Sequence, residues 1–475
     1  MTTAHVSPFA GSWYPGRRAE LETLLDSMFD SSLRRTGEHL VPRPLAFVVP
    51  HAGLAYSGTV AAAAYRNLRA AQPRRVFILG FAHSGGRPGV SIPDTGAFQT
   101  PLGVVEVDPS AVRELARSEP FLMTPESRVC DHSVEIQLPL LQRAAPGTPV
   151  VPLYVCGLDQ SKRRAAAHAL AQIVRPGDVL LASSDLTHYG RAFGYRPFPV
   201  DEDTPGRLRE LDGQAISAAG SLDPELFLQS LKETGATVCG SDPIALLLET
   251  LGLLGGDDIF QQTLDYQTSA EIAGSYEHCV SYGALGYFRA DSFELSPEDR
   301  QALLESVGAT LRHLRETGKR KPVPPPASGG SLQRRTGVFV SLHKQGELLG
   351  CIGNVTTPLP LAEETPQMAL AAALDDPRFW PHSRLPEGID VEISVLSPMK
   401  RIRDWTAFRL GRDGAFLECG AARGLLLPQV AHGGAWAPAR FLDALSRKAG
   451  LRPGAYREAG ARLSVFRAQV FATPV

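Results

Sequence analysis

Three apolar runs in the first 190 residues stop at a polar side chain. AFVVP (46–50) runs into His51, RVFILGFA (75–82) into His83, and DVLLASS (178–184) into Asp185-Leu186-Thr187-His188. A fourth run, VVPLYV (150–155), has the same continuous apolar texture. None alternates polar and apolar residues, so each predicts a strand covered on both faces. Ala/Leu-rich stretches at 59–70 (TVAAAAYRNLRA) and 161–173 separate them and predict helices. Strands of this kind spaced by helices predict an α/β layered fold around a central, largely buried sheet. Residues 213–220 and 245–254 continue the helical pattern, and CVSYGALGY (279–287) reads as a late strand.

At 475 residues the chain is too long for one ordinary core, so two or more domains are expected. Past residue 290 the texture changes. A helical pattern over 295–316 opens with Ser296-Pro297-Glu298, a start signal with proline in the first turn. KRKPVPPPASGG (319–330) reads by composition as an interdomain linker. Residues 337–353 predict two strands joined at Lys344-Gln345-Gly346, and IDVEISVL (389–396) alternates like a half-buried strand. A second, smaller α+β domain follows.

Bulk properties exclude several functions. Hydrophobic content of 43% and charged content of 21% are those of a globular protein, and the net charge of −2 argues against general nucleic-acid binding. No run reaches the roughly 18 apolar residues of a membrane span. The first residues, MTTAHVSPFAGSWYPGRR, lack the continuous apolar core of a signal peptide, which predicts a cytoplasmic protein. Six cysteines without a CxxC pair make no disulfide framework and point to chemistry or metal binding instead.

In open α/β sheets, ligand groups gather beyond the carboxyl ends of the strands. His51, His83, Asp185 and His188 all occupy such ends, Cys239 sits on a turn before Gly240, and His132-Ser133-Val134-Glu135 precedes an apolar helical run that it is placed to cap. Each also has a plain structural reading. A buried histidine is satisfied by one hydrogen bond, Asp185 can terminate a turn, and Cys239 can be a small buried hydrophobe. Spacing alone leaves both readings open.

Successive motifs narrow this. AGSWYPG (10–16), VPHAGLAYSG, ILGFAHSG, DHSVEIQLPLL, SSDLTHYG and ATVCGSDPI resemble, in order, those of the Memo family, over nearly all of residues 5–288. That resemblance implies a domain over 1–290 with the class III extradiol dioxygenase (LigB-like) fold. It implies that His51 and His83 are two histidine metal ligands. Cys239 then stands where Memo proteins place a cysteine and the dioxygenases a glutamate. His188 matches an acid/base histidine with Asp185 as its motif neighbour, and His132 matches a further cleft histidine. Two imidazoles and a thiolate suit a transition metal, iron or copper foremost and zinc next. The thiolate also departs from the 2-His-1-carboxylate triad, which weakens the expectation of catechol-type dioxygenase chemistry.

RRTGVFVSLHKQGELLGCIGN, ALDDPRFWP, IDVEISVLSPMKRI, GLLLPQVA and ARFLDALSRKAGL resemble the AMMECR-type domain over about 293–471. The resemblance moves the domain boundary to near 291, giving a second domain over 291–475 with the Pro-rich loop 319–330 inside it. The family's Leu-Arg-Gly-Cys-Ile-Gly motif reads Leu348-Leu349-Gly350-Cys351-Ile352-Gly353, so Leu349 replaces its arginine. Cys351 is a candidate nucleophile or redox thiol. The competing reading, a small buried residue in a Gly-rich hairpin, is the one favoured, since the nearest histidine in sequence is His343. Phe379-Trp380-Pro381 and Trp436 read as core or turn aromatics.

Memo-like and AMMECR-like proteins are associated with a radical S-adenosylmethionine enzyme in the AmmeMemoRadiSam system. This chain looks like a fusion of the first two components. It has no CxxxCxxC triplet, so the radical enzyme is expected as a separate partner, with a small molecule or peptide as substrate. Two functions follow as alternatives: a metal-dependent oxidoreductase-like protein whose second domain binds substrate or partner, and a non-catalytic adaptor whose cleft holds a peptide or carboxylate.

Overall fold

The computed structural model describes residues 4–83, 87–325, 330–379, 385–434 and 436–474. Trp380, Pro381 and residues 326–329 of the Pro-rich loop lie outside the described residues. Two compact units form, one of residues 1–37 and 42–289, the other of 38–41 and 290–475.

In the first unit the continuous apolar runs become the middle of a nine-stranded sheet. Pro44–Val49, Asp178–Ser183, Arg75–Phe81 and Val150–Cys156 lie side by side in that order, all parallel. The chain therefore inserts Asp178–Ser183, the last of these runs in sequence, between Pro44–Val49 and Arg75–Phe81. Gly89–Pro93 runs antiparallel to Val150–Cys156 and parallel to Phe121–Thr124, while the long strand His278–Arg289 runs antiparallel to Pro44–Val49. Ile259–Thr268 and His188–Gly190 both pair with His278–Arg289.

Both faces of the four central strands are covered, as their lack of alternation requires. Phe47, Val48, Phe77, Ile78, Leu79, Val151 and Leu153 have no exposed surface. Each such side chain contributes about 1.5–3 kcal/mol relative to exposure. Helices begin earlier than the sequence pattern suggested. The 59–70 pattern belongs to Leu54–Ala71, 213–220 to Thr204–Gly220, and 245–254 to Ser241–Leu253.

The second unit contains two antiparallel four-stranded sheets. One is ordered Glu347–Asn354, Val338–Lys344, Asp390–Leu396, Ala468–Pro474, and its first two strands are the hairpin expected around Gln345-Gly346. Pro297–Thr317 is a helix whose Ser296 hydroxyl accepts from the Asp299 N–H. Composition misreads the Pro-rich run: Val323 donates its N–H to Thr310 on that helix, and Ser306 donates its hydroxyl to the Val323 carbonyl, so the segment is pinned to its own domain. Trp436 packs edge-on against Phe441 in that unit's core. Among the described residues no helix is long and apolar enough to cross a membrane.

Candidate metal centre

The carboxyl ends of Pro44–Val49, Arg75–Phe81 and Asp178–Ser183 are adjacent because those strands are parallel neighbours in the sheet. The three polar segments that follow them therefore meet. Two aspartates fix the meeting. Asp185 Oδ1 accepts from the backbone N–H of His51 at 2.8 Å and of Ala52 at 3.3 Å, clamping the His51 loop to the Ser183–His188 loop. Asp131 Oδ2 accepts from the His83 backbone N–H at 2.9 Å and lies 3.2 Å from His83 Nδ1. Asp131 also accepts from the Ser133 N–H, so it caps the short helix His132–Glu135. That corrects the expectation that the HSVE segment itself supplies the cap: a carboxylate one residue earlier reaches the free N–H groups.

These bonds set which ring nitrogens face the cleft. With Nδ1–H directed at Asp131, His83 presents Nε2. His51 Nδ1 lies 3.3 Å from Ser183 Oγ, and its Nε2 lies 3.1 Å from Cys239 Sγ. Ser183 Oγ in turn accepts from Gln137 Nε2 at 2.9 Å, and Gln137 Oε1 accepts from the Tyr65 hydroxyl at 2.9 Å. This buried chain orients the His51 ring, as outer hydrogen bonds do for metal-binding imidazoles.

Two triplets result, both containing His51. Ligand atoms of His51, His83 and His132 all lie within 4.8 Å of one another, as do those of His51, Asp185 and Cys239. His83 and Cys239 share neither triplet, so the expected trio of His51, His83 and Cys239 does not itself form one group; His51 is common to both. His132 enters by ring packing, with centroids 4.2 Å from His83 and 5.2 Å from His51. Trp13, from the AGSWYPG motif, stacks on its other side at 4.3 Å and accepts the Leu54 N–H through its carbonyl. His188 belongs to neither triplet. Its Nδ1 lies 3.0 Å from the Thr237 carbonyl, which fixes the proton there and leaves Nε2 as an acceptor.

Burial keeps the His51 and His132 imidazoles neutral. His51 is buried, and desolvation together with the neighbouring His83 pushes its pKa down to about 3. His132 falls to about 4 for the same reasons, with His51 as the larger neighbour. Neutral imidazole is the form that binds metal. Burial raises the Cys239 thiol, and the Asp185 carboxylate raises it further, so a nearby cation is what would draw off its proton. Asp185 is itself raised by burial, which outweighs the two N–H bonds that it accepts.

The donor set fits a transition metal. It offers two or three imidazole nitrogens, one thiol and one carboxylate, with His83 the exposed member and His51 the buried one. Nitrogen and sulfur ligands sharing one tetrahedral ion sit about 3.5 Å apart, so the His51–Cys239 pair needs to open by only a few tenths of an ångström.

Of the residues expected from the sequence, His51, His83, His132, Asp185 and Cys239 fall in the two triplets and His188 outside them, while Asp131, Ser183, Gln137 and Thr237 were not expected. Asp131 stands inside a motif already singled out, and its position just before His132 is the one signal that pointed to it. Cys351 belongs to the second unit, on Glu347–Asn354. Its N–H donates to Asp376 Oδ2 at 2.8 Å and its carbonyl accepts from Arg378 at 2.9 Å.

Comparisons with known proteins identify both domains. The family model described as Memo-like protein matches residues 6–286, and that described as AMMECR1 matches 305–471. The chain is 32% identical over 278 residues to a MEMO1 family protein of Thermoplasma acidophilum, covering 58% of this chain and 96% of that one. It is 30% identical over 284 residues to the memo-1 homolog of Caenorhabditis elegans, covering 58% and 80%. A solved structure of an uncharacterized protein from Pyrococcus horikoshii is 34% identical, covering 36% of this chain and 89% of that one with a TM-score of 0.34. With its family match extending through every motif that builds the cleft, the chain belongs to the Memo family and carries an AMMECR1 domain behind it.

Proposed function

We propose that the first domain binds one redox-capable transition metal, iron or copper foremost and zinc next, and works as an oxidoreductase-like protein. The observation that supports this most is the place of His51 in both triplets, one with His83 and His132 and the other with Asp185 and Cys239. His51 and His83 would hold the metal with Cys239, His132 being the third imidazole within reach. Bound there, the ion would supply Lewis acidity and a place for water, dioxygen or substrate to be activated.

The surrounding residues have separable tasks. Asp131 and Ser183 hold the two imidazoles so that their other nitrogens face the cleft. His188, with its proton fixed on Nδ1, can accept a proton at Nε2, which suits it to general acid/base work. Trp13 packs over the His132 ring. The AMMECR1 domain is assigned to substrate or partner binding, and a separate radical S-adenosylmethionine enzyme is the proposed partner. Covalent fusion keeps both domains at high effective concentration for a shared substrate.

Metal analysis of untagged protein tests the proposal. About one equivalent is expected in the cleft, lost in a His51→Ala, Cys239→Ala double variant that keeps its circular dichroism spectrum. Oxygen consumption with a reductant then tests the redox assignment. A double variant retaining all its metal would sink the proposal, unless the retained ion occupies the separate site described next.

A further inference from the structure

A second group of metal-competent side chains lies outside this cleft. His5, Cys130 and Glu135 bring one ligand atom each to within 4.8 Å of the others. His5 comes from the two-residue strand His5–Val6, which pairs with Ala97–Thr100. Cys130 and Glu135 come from the same short segment that supplies Asp131 and His132 to the first centre. That segment therefore divides its side chains between two clusters.

Glu135 is the key observation. It has no exposed surface, and its Oε1 lies 3.1 Å from His5 Nε2. Its other oxygen, Oε2, is buried with no hydrogen-bond partner among the described residues. A carboxylate oxygen sealed from water without a donor is costly and calls for an explanation. Glu126 lies on the far side of His5, its Oε1 3.7 Å from Nδ1. The resulting order, carboxylate, imidazole, then a cluster of sulfur and oxygen donors, is the arrangement in which an outer carboxylate orients a metal-binding histidine.

We propose that His5 Nε2, Cys130 Sγ and the Glu135 carboxylate form a second metal site, for a divalent ion of the zinc type, with Glu126 holding the His5 ring. One nitrogen, one sulfur and one carboxylate ligand are the donors zinc takes, and a water completes four-coordination. The ion would occupy the space that Oε2 faces, giving that oxygen its missing partner. In the metal-free protein, pairing with Glu135 raises the pKa of His5, while burial raises that of the Cys130 thiol. Metal binding therefore releases the thiol proton, and the imidazolium proton where present, to solvent. No electron is transferred, and the role assigned to the ion is structural: it would lock the 130–135 segment that also positions His83 and His132.

The test uses the full chain carrying His51→Ala and Cys239→Ala, which disables the first centre and makes failure of the two proposals distinguishable. Apoprotein in that background is titrated with Co(II) alone. About one equivalent should bind with a thiolate-to-cobalt charge-transfer band in the near ultraviolet. Adding Cys130→Ser should abolish the band, and adding Glu135→Gln should weaken binding roughly tenfold or more. Folding of each variant is followed by circular dichroism. Absence of Co(II) binding in the folded background protein would overturn the proposal and leave His5–Glu135 as an ion pair. A charge-transfer band surviving Cys130→Ser would overturn it equally. If Glu135→Gln fails to fold, Cys130→Ser, at a half-buried position, still decides the outcome.

Discussion

Cys239 Sγ lies 3.1 Å from His51 Nε2, with Asp185 forming the third corner of the same triplet. A thiol so placed competes with a carboxylate for one cation. Replacing it with a harder ligand should change which metal the cleft prefers. In Cys239→Asp the affinity for zinc and copper, measured by competition with a chromophoric chelator, should drop tenfold or more, on the order of 1.4 kcal/mol, while iron(II) and manganese(II) are held comparatively better. An unchanged order of preference would mean that the three histidines bind the ion without sulfur. His132→Ala is the complementary variant: it should lower affinity little if sulfur is a ligand, and severely if the histidine triplet binds instead.

Asp131 joins both halves of the His83 arrangement, accepting from its backbone and facing its ring. Asp131→Asn preserves size but removes the charge that orients Nδ1–H. Metal affinity should fall by about 10- to 100-fold, the usual effect of losing an outer carboxylate. Stability should fall by about 1–3 kcal/mol, because Ser133 donates to the same side chain through both N–H and hydroxyl. Isothermal titration and urea denaturation measure the two effects separately. A large loss of stability with metal affinity intact would reduce Asp131 to a helix cap.

The parts of this site that were legible in the sequence are those encoded locally. LAFVV, RVFILG and DVLLAS are apolar without interruption, which betrays strands buried on both faces, so His51, His83 and Asp185 stand out at their ends. The pairing of those strands is not encoded locally. Asp178–Ser183 inserts between two earlier strands, and only that insertion brings Asp185 against the His51 loop. The outer strands Gly89–Pro93 and Phe121–Thr124 are too short, at five and four residues, to announce themselves. Ser183 and Gln137 were silent for another reason: a buried serine or glutamine has no pattern of its own, and its task appears only once its partner is in place. The motif resemblance supplied Cys239, whose turn lies 188 residues from His51 in sequence.

Gly240 shows how tightly the cysteine turn is pressed onto the strand end. A Cβ added there would lie 2.5 Å from the Ser184 Cβ and 2.7 Å from the Ser183 carbonyl oxygen. Gly240 also donates its N–H to Ser184 Oγ at 2.9 Å. Gly240→Ala should therefore push Cys239 away from His51. The cost should be about 1–3 kcal/mol, seen as a lower urea midpoint, together with weaker metal binding. Normal stability and normal metal content in this variant would show that the turn has room that the structure does not indicate.

In the second unit, Asp376 is the counterpart of the clamping aspartates in the first. It accepts from the Cys351 N–H, from the Arg378 N–H, and from two nitrogens of the Arg378 guanidinium. The Arg378 guanidinium is the main cause holding its pKa down to about 2, with the backbone donors adding to it. Because the folded value lies below the unfolded value of about 3.9, the carboxylate stabilises the domain fully above pH 4. That contribution disappears as pH falls from about 4 through about 2, where the native carboxylate takes up its proton. Asp376→Asn should remove this part of the acid sensitivity, flattening the decline in urea midpoint between pH 4 and pH 2.5. At pH 7 the same variant should be less stable by about 1–3 kcal/mol, since a buried charged acceptor is replaced by a group that also donates. It should also expose Cys351 to faster alkylation, because the strand that carries the thiol loses the bond at its own N–H. A variant with the parent's acid slope would show that other carboxylates govern unfolding, and an unchanged alkylation rate would show that Cys351 is held by its hairpin rather than by Asp376.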